Sequence, residues 1–306
     1  MWIHRLTMGA LLAAGLGLVA PGPAAAQTRS RDQWIAMARG GFVVPPGTPA
    51  AELLLDMAPL LASADPVLRD EVAYSAAERW ILRDRVVTPD DLRRLIARWS
   101  AMLDDGLGAT GDDRIYGRSF AALCLSVAAA RHVATPFFDA REAQALTERL
   151  FDYLSRERDL RGFDAGGGWM HAIAHTADAF KFLARSGHWT PAHTARLFTL
   201  LSDKAGEVEG VFQWGEPQRI GFALAAALRR DDADPATLDR WIATLDVEFR
   251  ALWSKGPVVT PRDFARVENR LQMLRGLHTA LAMDAAPTTT GEAARRAAIA
   301  ALARLR

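Results

Sequence analysis

One short stretch combines histidine, tryptophan and aspartate at helical spacing, directly after three glycines. It reads GGGWMHAIAHTAD over residues 166–178. At 100° per residue, His171, His175 and Asp178 fall within about 60° of one another on one face of a helix. Ala and Ile occupy the other side, and an ordinary surface helix would carry scattered Lys and Glu on this face instead. The pattern predicts a compact acid–imidazole stripe.

Three interpretations of this stripe remain open. The side chains could be structural, with His175 and Asp178 bonded to neighbouring loops. They could bind a divalent metal, since two histidines at i and i+4 match one face of a zinc site. The ligands would then be at most His171, His175 and Asp178. This pair lacks the intervening glutamate of a metalloprotease motif. They could also line a metal-free pocket in which an imidazole acts as acid, base or hydrogen-bond donor.

Further charged residues lie in similarly apolar surroundings. Arg118 opens a strongly apolar helix, and Asp159 and Arg161 come just before the glycines. Glu216 and Arg219 are spaced at i and i+3. Taken one pair at a time, these residues favour an arginine–carboxylate lattice that ties neighbouring helices together.

The same charged residues could instead converge on the groove that holds the histidines. Two carboxylates facing a cleft, with Trp169 and Trp214 nearby, would then suit a sugar-active site.

The elements that must position these residues are predicted to be helices. A Thr-Pro or Asp-Pro pair recurs, and each pair offers a capping oxygen followed by a residue that needs no amide partner. Apolar residues then follow at spacings of three and four. The pairs begin at Thr48, Asp65, Thr88, Thr135, Thr190, Asp234 and Thr260.

About eleven helices are predicted in this way, and alternating strand patterns are nearly absent. Short connections favour antiparallel neighbours. We therefore predict an all-α fold, an α/α superhelix of stacked helical hairpins like HEAT or armadillo solenoids, in one domain over residues 27–306. Its concave face is expected to come from residues 115–230.

Residues 1–26 are predicted to be a secretory signal peptide. A short basic start precedes an uncharged apolar run, which ends at prolines. Ala24 to Ala26 then supply the small residues that precede the expected cleavage between Ala26 and Gln27. The expected location is therefore outside the cytoplasm, in the periplasm of a bacterium, with no membrane span after cleavage.

Charge and cysteine content exclude several classes of protein. Lys and Arg number 37 against 36 Asp and Glu, so no basic excess would drive nucleic-acid binding. One cysteine excludes an intramolecular disulfide framework and a cysteine-cluster zinc site.

Four motifs in this order resemble the bacterial family called domain of unknown function 2785. They are RSF at 118–120, DLRG at 159–162, GWxHAxAHxAD at 168–178 and GExxR at 215–219. The resemblance covers about residues 50–280 and implies an all-helical fold. It implies no particular activity, cofactor or substrate, and it suggests that these charged positions are the family's shared feature.

The leading prediction is a secreted binding or scaffold protein whose concave groove takes a small molecule, a peptide or a glycan. The alternative is a hydrolase or lyase that uses His171 and His175 with Asp178, Asp159 or Glu216, with or without a divalent metal. A third possibility is a purely structural polar cluster. No cofactor is required by the sequence. The predicted groove residues are Arg118, Asp159, Arg161, Trp169, His171, His175, Asp178, Glu216 and Arg219.

Overall fold

The structure, a computed structural model, describes residues 29–305, and in this part of the chain it is built almost entirely from helices. The all-α class is therefore confirmed. The α-helices are α1 (Arg31–Arg39), α2 (Ala50–Met57), α3 (Ser75–Glu78), α4 (Pro89–Met102), α5 (Arg114–Ala134), α6 (Ala140–Arg156), α7 (Ala172–Leu183), α8 (Pro191–Glu207), α9 (Glu216–Leu228), α10 (Pro235–Trp253), α11 (Pro261–Ala282) and α12 (Thr289–Arg304).

Short segments of other types complete the described chain. Val67–Tyr74 and Arg79–Arg83 are π-helical and flank α3, and Ala58–Ala62 and Gly256–Val258 are 3₁₀ turns. Two strands, β1 (Phe163–Asp164) and β2 (Gly168–Trp169), form an antiparallel hairpin in which Phe163 faces Trp169.

The predicted proline starts are confirmed at most positions. The side chains of Thr88, Thr190, Asp234 and Thr260 each accept a hydrogen bond from an amide of the first helical turn. Each cap therefore satisfies a donor that the helix itself leaves unpaired.

The helix start predicted at Thr135 is wrong. Thr135 ends α5, and the next helix begins five residues later behind the capping box formed by Asp139 and Glu142. The amides of Phe137 and Phe138 both donate to Nδ1 of His132, at 3.1 Å each. These bonds hold the intervening residues in a turn, so the helix begins behind the stronger cap, Asp139, four residues after Thr135.

Four helices form the centre of the described chain, because α5 packs on α7, α7 on α9, and α9 on α11. Most of α5 is buried, and alanine is frequent in α5 and α9. Gly221 of α9 lies so close to the backbone of Gly276 in α11 that a side chain would not fit. These small residues let the backbones approach and place the predicted polar motifs at the ends of adjacent helices.

The predicted signal peptide, residues 1–26, lies outside the described residues. Within residues 29–305, no helix has both the length and the apolar character needed to cross a bilayer.

Candidate functional site

The glycine-rich loop is the β1–β2 hairpin, and its neighbours fix it in place. Oδ1 of Asp164 accepts from the amides of Gly166 and Gly167, at 2.8 Å each. The buried guanidinium of Arg69 donates to the Gly167 carbonyl at 2.6 Å and stacks on the Tyr116 ring. The hairpin is thereby attached to α5 and to the first π-helical segment.

His171 follows this hairpin and immediately precedes α7. The spacing predicted that His171 belongs to the helix, but the helix begins at Ala172 because His171 adopts the left-handed conformation, with φ 49° and ψ 35°. Its ring stacks on Trp169 with 4.6 Å between ring centroids. Nε2 is buried, lies 3.6 Å from Oε1 of Glu216, and has no hydrogen-bond partner among the described residues.

His175 is buried in α7 and bonded to α5 through Ser119. Its Nδ1 lies 2.7 Å from Oγ of Ser119, and that hydroxyl donates to the carbonyl of Met170. A carbonyl only accepts, so the single hydroxyl proton is used there and Ser119 must accept from Nδ1–H of His175. The remaining ring nitrogen, Nε2, therefore carries a lone pair.

Asp178 is held by two cations one turn further along α7. Arg219 donates to Oδ2 through Nη1, and Nζ of Lys181 donates to Oδ1 at 3.1 Å. Nε and Nη2 of Arg219 form no hydrogen bond within the described chain, and the side chain is 39% exposed. Arg219 can therefore bind a further anion while it remains paired with Asp178.

Glu216 is the first residue of α9, and its carboxylate is buried. Oε2 accepts from the amide of Trp214 at 2.9 Å, and the carboxylate and the Trp214 indole both press against Gly162. A Cβ at position 162 would collide with both side chains. The DLRG motif therefore ends in glycine because Glu216 and Trp214 occupy the space of a side chain.

Together these elements enclose a cavity of about 390 Å³, which we call the histidine cavity. Such a volume lies within the range of small-molecule sites, roughly 300–1,000 Å³. The indole rings of its wall are partly exposed, by 37% at Trp169 and 43% at Trp214. The lining residues are Asp70, Tyr74, Leu123, Trp169, His171, His175, Trp214, Gly215, Gln218 and Arg219.

Burial sets the protonation states of the groups around the histidine cavity. It lowers the pKa of His171 to about 4, with Arg219 acting in the same direction, and lowers the pKa of His175 well below its ordinary value. It raises the pKa of the Glu216 carboxyl, and it raises the pKa of Tyr74 to about 12. Both imidazoles are therefore neutral near pH 7, and Tyr74 is a hydrogen-bond donor.

A second cavity, of about 540 Å³, adjoins the first and shares Trp214 with it. Arg161 lies in its wall and is clamped by Asp159, with Nε–Oδ1 at 2.8 Å and Nη2–Oδ2 at 2.6 Å. Asp159 also accepts from the amide of Gly111 at 3.0 Å. Glu216 lies in the wall of this second cavity.

Arg118 lines neither cavity. Its guanidinium is fully buried and forms two hydrogen bonds to the equally buried Glu157, at 2.6 and 3.1 Å. It also donates to the carbonyls of Asp105 and Gly106. The predicted groove set therefore divides into residues around the histidine cavity, residues around the second cavity, and one sealed ion pair.

Sequence reasoning missed several members of the site. Tyr74 belongs to the first π-helical segment, far from the motifs in sequence, and Gln218 lies unremarked inside GExxR. Ser119 was visible in RSF, but nothing in the sequence shows that it faces His175. Only the packing of α5 on α7 reveals that contact.

In the part of the chain that the structure describes, no three His, Cys, Asp or Glu side chains are grouped to hold a metal ion. In the triad considered from sequence, Nδ1 of His175 is bonded to Ser119 and Asp178 is bonded to two cations. A divalent ion at these three residues would have to compete with Arg219 and Lys181 for the carboxylate of Asp178, although Nε2 of His175 keeps its lone pair.

Comparison with known proteins identifies the family on the same residues. Residues 103–279 match the family described as "Protein of unknown function (DUF2785)". The chain belongs to this family. The matched span contains all four motifs, from RSF at 118–120 to GExxR at 215–219. No curated protein and no solved structure matches this chain.

Proposed function

We propose that this DUF2785 protein binds a saccharide that carries a carboxylate, with the charged sugar in the histidine cavity. The observation that carries the proposal is that two groups lining the same cavity have no hydrogen-bond partner in the described chain. These are the lone pair of His175 Nε2 and the free guanidinium nitrogens of Arg219.

The hydrogen-bonding groups of the cavity match a sugar. A neutral imidazole lone pair accepts from a hydroxyl, and the phenol of Tyr74 and the amide of Gln218 can donate to ring or hydroxyl oxygens. The His175 ring is neutral near pH 7, because burial lowers its pKa. Its Nε2 therefore accepts a hydrogen bond, and the ring adds no net charge to the cavity.

The charges around the cavity favour an anion. Arg219 and Lys181 surround the single carboxylate of Asp178, so the cluster carries an excess positive charge. A planar guanidinium with two free nitrogens matches the geometry of a carboxylate. Asp70 is the acid that lines the cavity, and burial raises the pKa of its carboxyl, which weakens its opposition to an anion at lower pH.

Exposed indole faces in a polar cavity suit the apolar C–H faces of a pyranose ring. The Trp169 and Trp214 rings lie 6.4 Å apart, nearly perpendicular to each other at 80°. Large aromatic surfaces contribute much of the binding energy at protein sites, and tryptophan combines that area with an N–H donor.

Acid–base catalysis is the second candidate, and one contact favours it. His171 and Glu216 face each other at 3.6 Å, and burial shifts their pKa values in opposite directions. Pairs of groups with such opposed shifts are typical of active sites. A hydrolase or lyase would use the unpaired Nε2 of His171 as the base and the Glu216 carboxyl as the acid.

We further propose that the helix pairs continue as an α/α superhelix and that the protein is exported. The consecutive packing of α5, α7, α9 and α11 supports the first proposal. The composition of residues 1–26 supports the second.

Tryptophan fluorescence tests the binding proposal, because Trp169 and Trp214 line the cavity. Galacturonic acid is expected to change the emission saturably, and glucose to bind at least about tenfold more weakly. Arg219→Gln should remove this preference. Arg250→Gln, at an exposed position of α10, is the matched control. Absence of saturable binding, or equal binding of both sugars, would overturn the proposal.

A further inference from the structure

We propose that the second cavity is a subsite for the same ligand, so that the ligand is an oligosaccharide whose chain passes Trp214. This inference rests on the proposed function, since it extends the site beyond the charged sugar in the histidine cavity. It assigns a binding role to a cavity that otherwise has none.

The two cavities are separated by single side chains and not by a layer of protein. Trp214 lines both. Glu216 lines the second cavity, while its Oε1 lies 3.6 Å from the His171 ring in the wall of the first. A chain of linked rings that leaves the histidine cavity over Trp214 therefore enters the second cavity directly.

Aromatic side chains continue along the same boundary. Phe163 packs 4.7 Å from Trp169 and 5.1 Å from Trp214, measured between ring centroids. Phe163 lines the second cavity and is half-buried. Successive rings of a linear ligand would thus meet successive aromatic surfaces, which a ligand confined to one cavity would not use.

The second cavity carries charges of both signs, which suits hydroxyl groups. Arg158 and Arg161 contribute donors, and Glu207 and Glu209 contribute acceptors. Asp159 fixes the orientation of Arg161 and leaves its Nη1 without a partner in the described chain. A hydroxyl both donates and accepts, so neutral sugar units satisfy such a wall better than a group with one role.

Calorimetric titration with galacturonic acid, the monomer, and with a trisaccharide that links one galacturonate to two neutral hexoses, the trimer, tests the inference. The trimer is expected to bind at least about tenfold more tightly than the monomer, because it gains contacts in the second cavity. Arg158→Gln should weaken trimer binding at least about threefold and leave monomer binding unchanged. Arg158 is exposed and has no ion-pair partner within residues 29–305, so this substitution spares the fold.

The results separate this inference from the proposed function. Equal affinity for monomer and trimer, or equal weakening of both by Arg158→Gln, would overturn the subsite and leave the histidine cavity as the binding site. If neither monomer nor trimer binds, the proposed function itself fails. Arg83→Gln, at an exposed arginine outside both cavities, controls for loss of positive charge.

Discussion

Ser119 of α5 accepts a hydrogen bond from Nδ1–H of His175 in α7 at 2.7 Å and donates one to the carbonyl of Met170. This relay makes the orientation of a buried imidazole depend on a hydroxyl from another helix. It decides which ring nitrogen carries the lone pair, and hence whether the histidine cavity presents an acceptor or a donor.

Ser119→Ala should therefore change the tautomer of His175. Without the hydroxyl, Nδ1–H and the Met170 carbonyl lose their partners, and we expect a cost of about 1–3 kcal/mol in the free energy of unfolding. Nitrogen NMR of the imidazole rings should show a single Nδ1–H form in the unsubstituted protein and a mixture in the variant.

Ser126→Ala on the same helix is the control for that substitution. Ser126 is also buried, but its hydroxyl donates only to the carbonyl of Leu123, within its own helix. The His175 signals should be unaffected. An Nε2–H tautomer in the unsubstituted protein would refute the relay.

The buried pair of Arg118 and Glu157 should stabilise the fold without taking part in ligand binding. Arg118→Met leaves a buried carboxylate without its cation, and we expect a loss of about 3–5 kcal/mol in chemical denaturation. The double variant Arg118→Met/Glu157→Leu should recover part of the loss, because no buried charge then remains unpaired.

Arg114→Met is the matched comparison for the Arg118 prediction, since its ion pair with Asp112 is largely exposed. Its effect on the free energy of unfolding should be much smaller than that of Arg118→Met. A stable Arg118→Met protein that no longer binds galacturonic acid would place Arg118 in the site, as the sequence had suggested, and contradict the structural role.

The sequence predicted the helices and the polar motifs because both depend on local chemistry. Capping pairs such as Thr88-Pro89 determine where a helix starts whatever packs against it. The function of each polar residue depends instead on which groups lie across the fold. Arg118 and Arg219 look alike in sequence, but one meets Glu157 in the interior and the other keeps free nitrogens in a cavity.

Local conformation explains the other differences. His171 was counted on the helical face with His175, but its left-handed backbone places it before the helix, against Trp169. No residue pattern announces such a conformation at histidine, where it is uncommon. The single predicted groove is divided by Trp214 into two cavities, and this depends on tertiary packing alone.

Gly162→Ala should disturb both cavities at once. The added methyl group would occupy the space of the Glu216 carboxylate and the Trp214 indole, so one of them must move. Overpacking of this kind lowers the free energy of unfolding by about 1–3 kcal/mol. We expect a lower melting temperature and altered tryptophan emission. Gly187→Ala, where the methyl group meets nothing within 4 Å, should change neither property.

The neutral state of His171 should make stability depend on pH in a defined window. Its pKa is about 4 in the folded protein and about 6.5 in the unfolded chain. Between these values the unfolded chain binds a proton that the folded protein does not, so stability falls as pH decreases from 6.5 towards 4. This residue alone should account for a loss of about 3 kcal/mol across that window.

His171→Asn isolates this contribution, because asparagine tolerates the left-handed backbone of that position and does not titrate. The difference in unfolding free energy between the unsubstituted protein and the variant should change steadily from pH 6.5 to pH 4. It should stay constant above pH 7. Glu216, whose raised pKa acts with the opposite sign, is present in both proteins. A difference that does not change between pH 6.5 and pH 4 would contradict the burial-induced shift at His171.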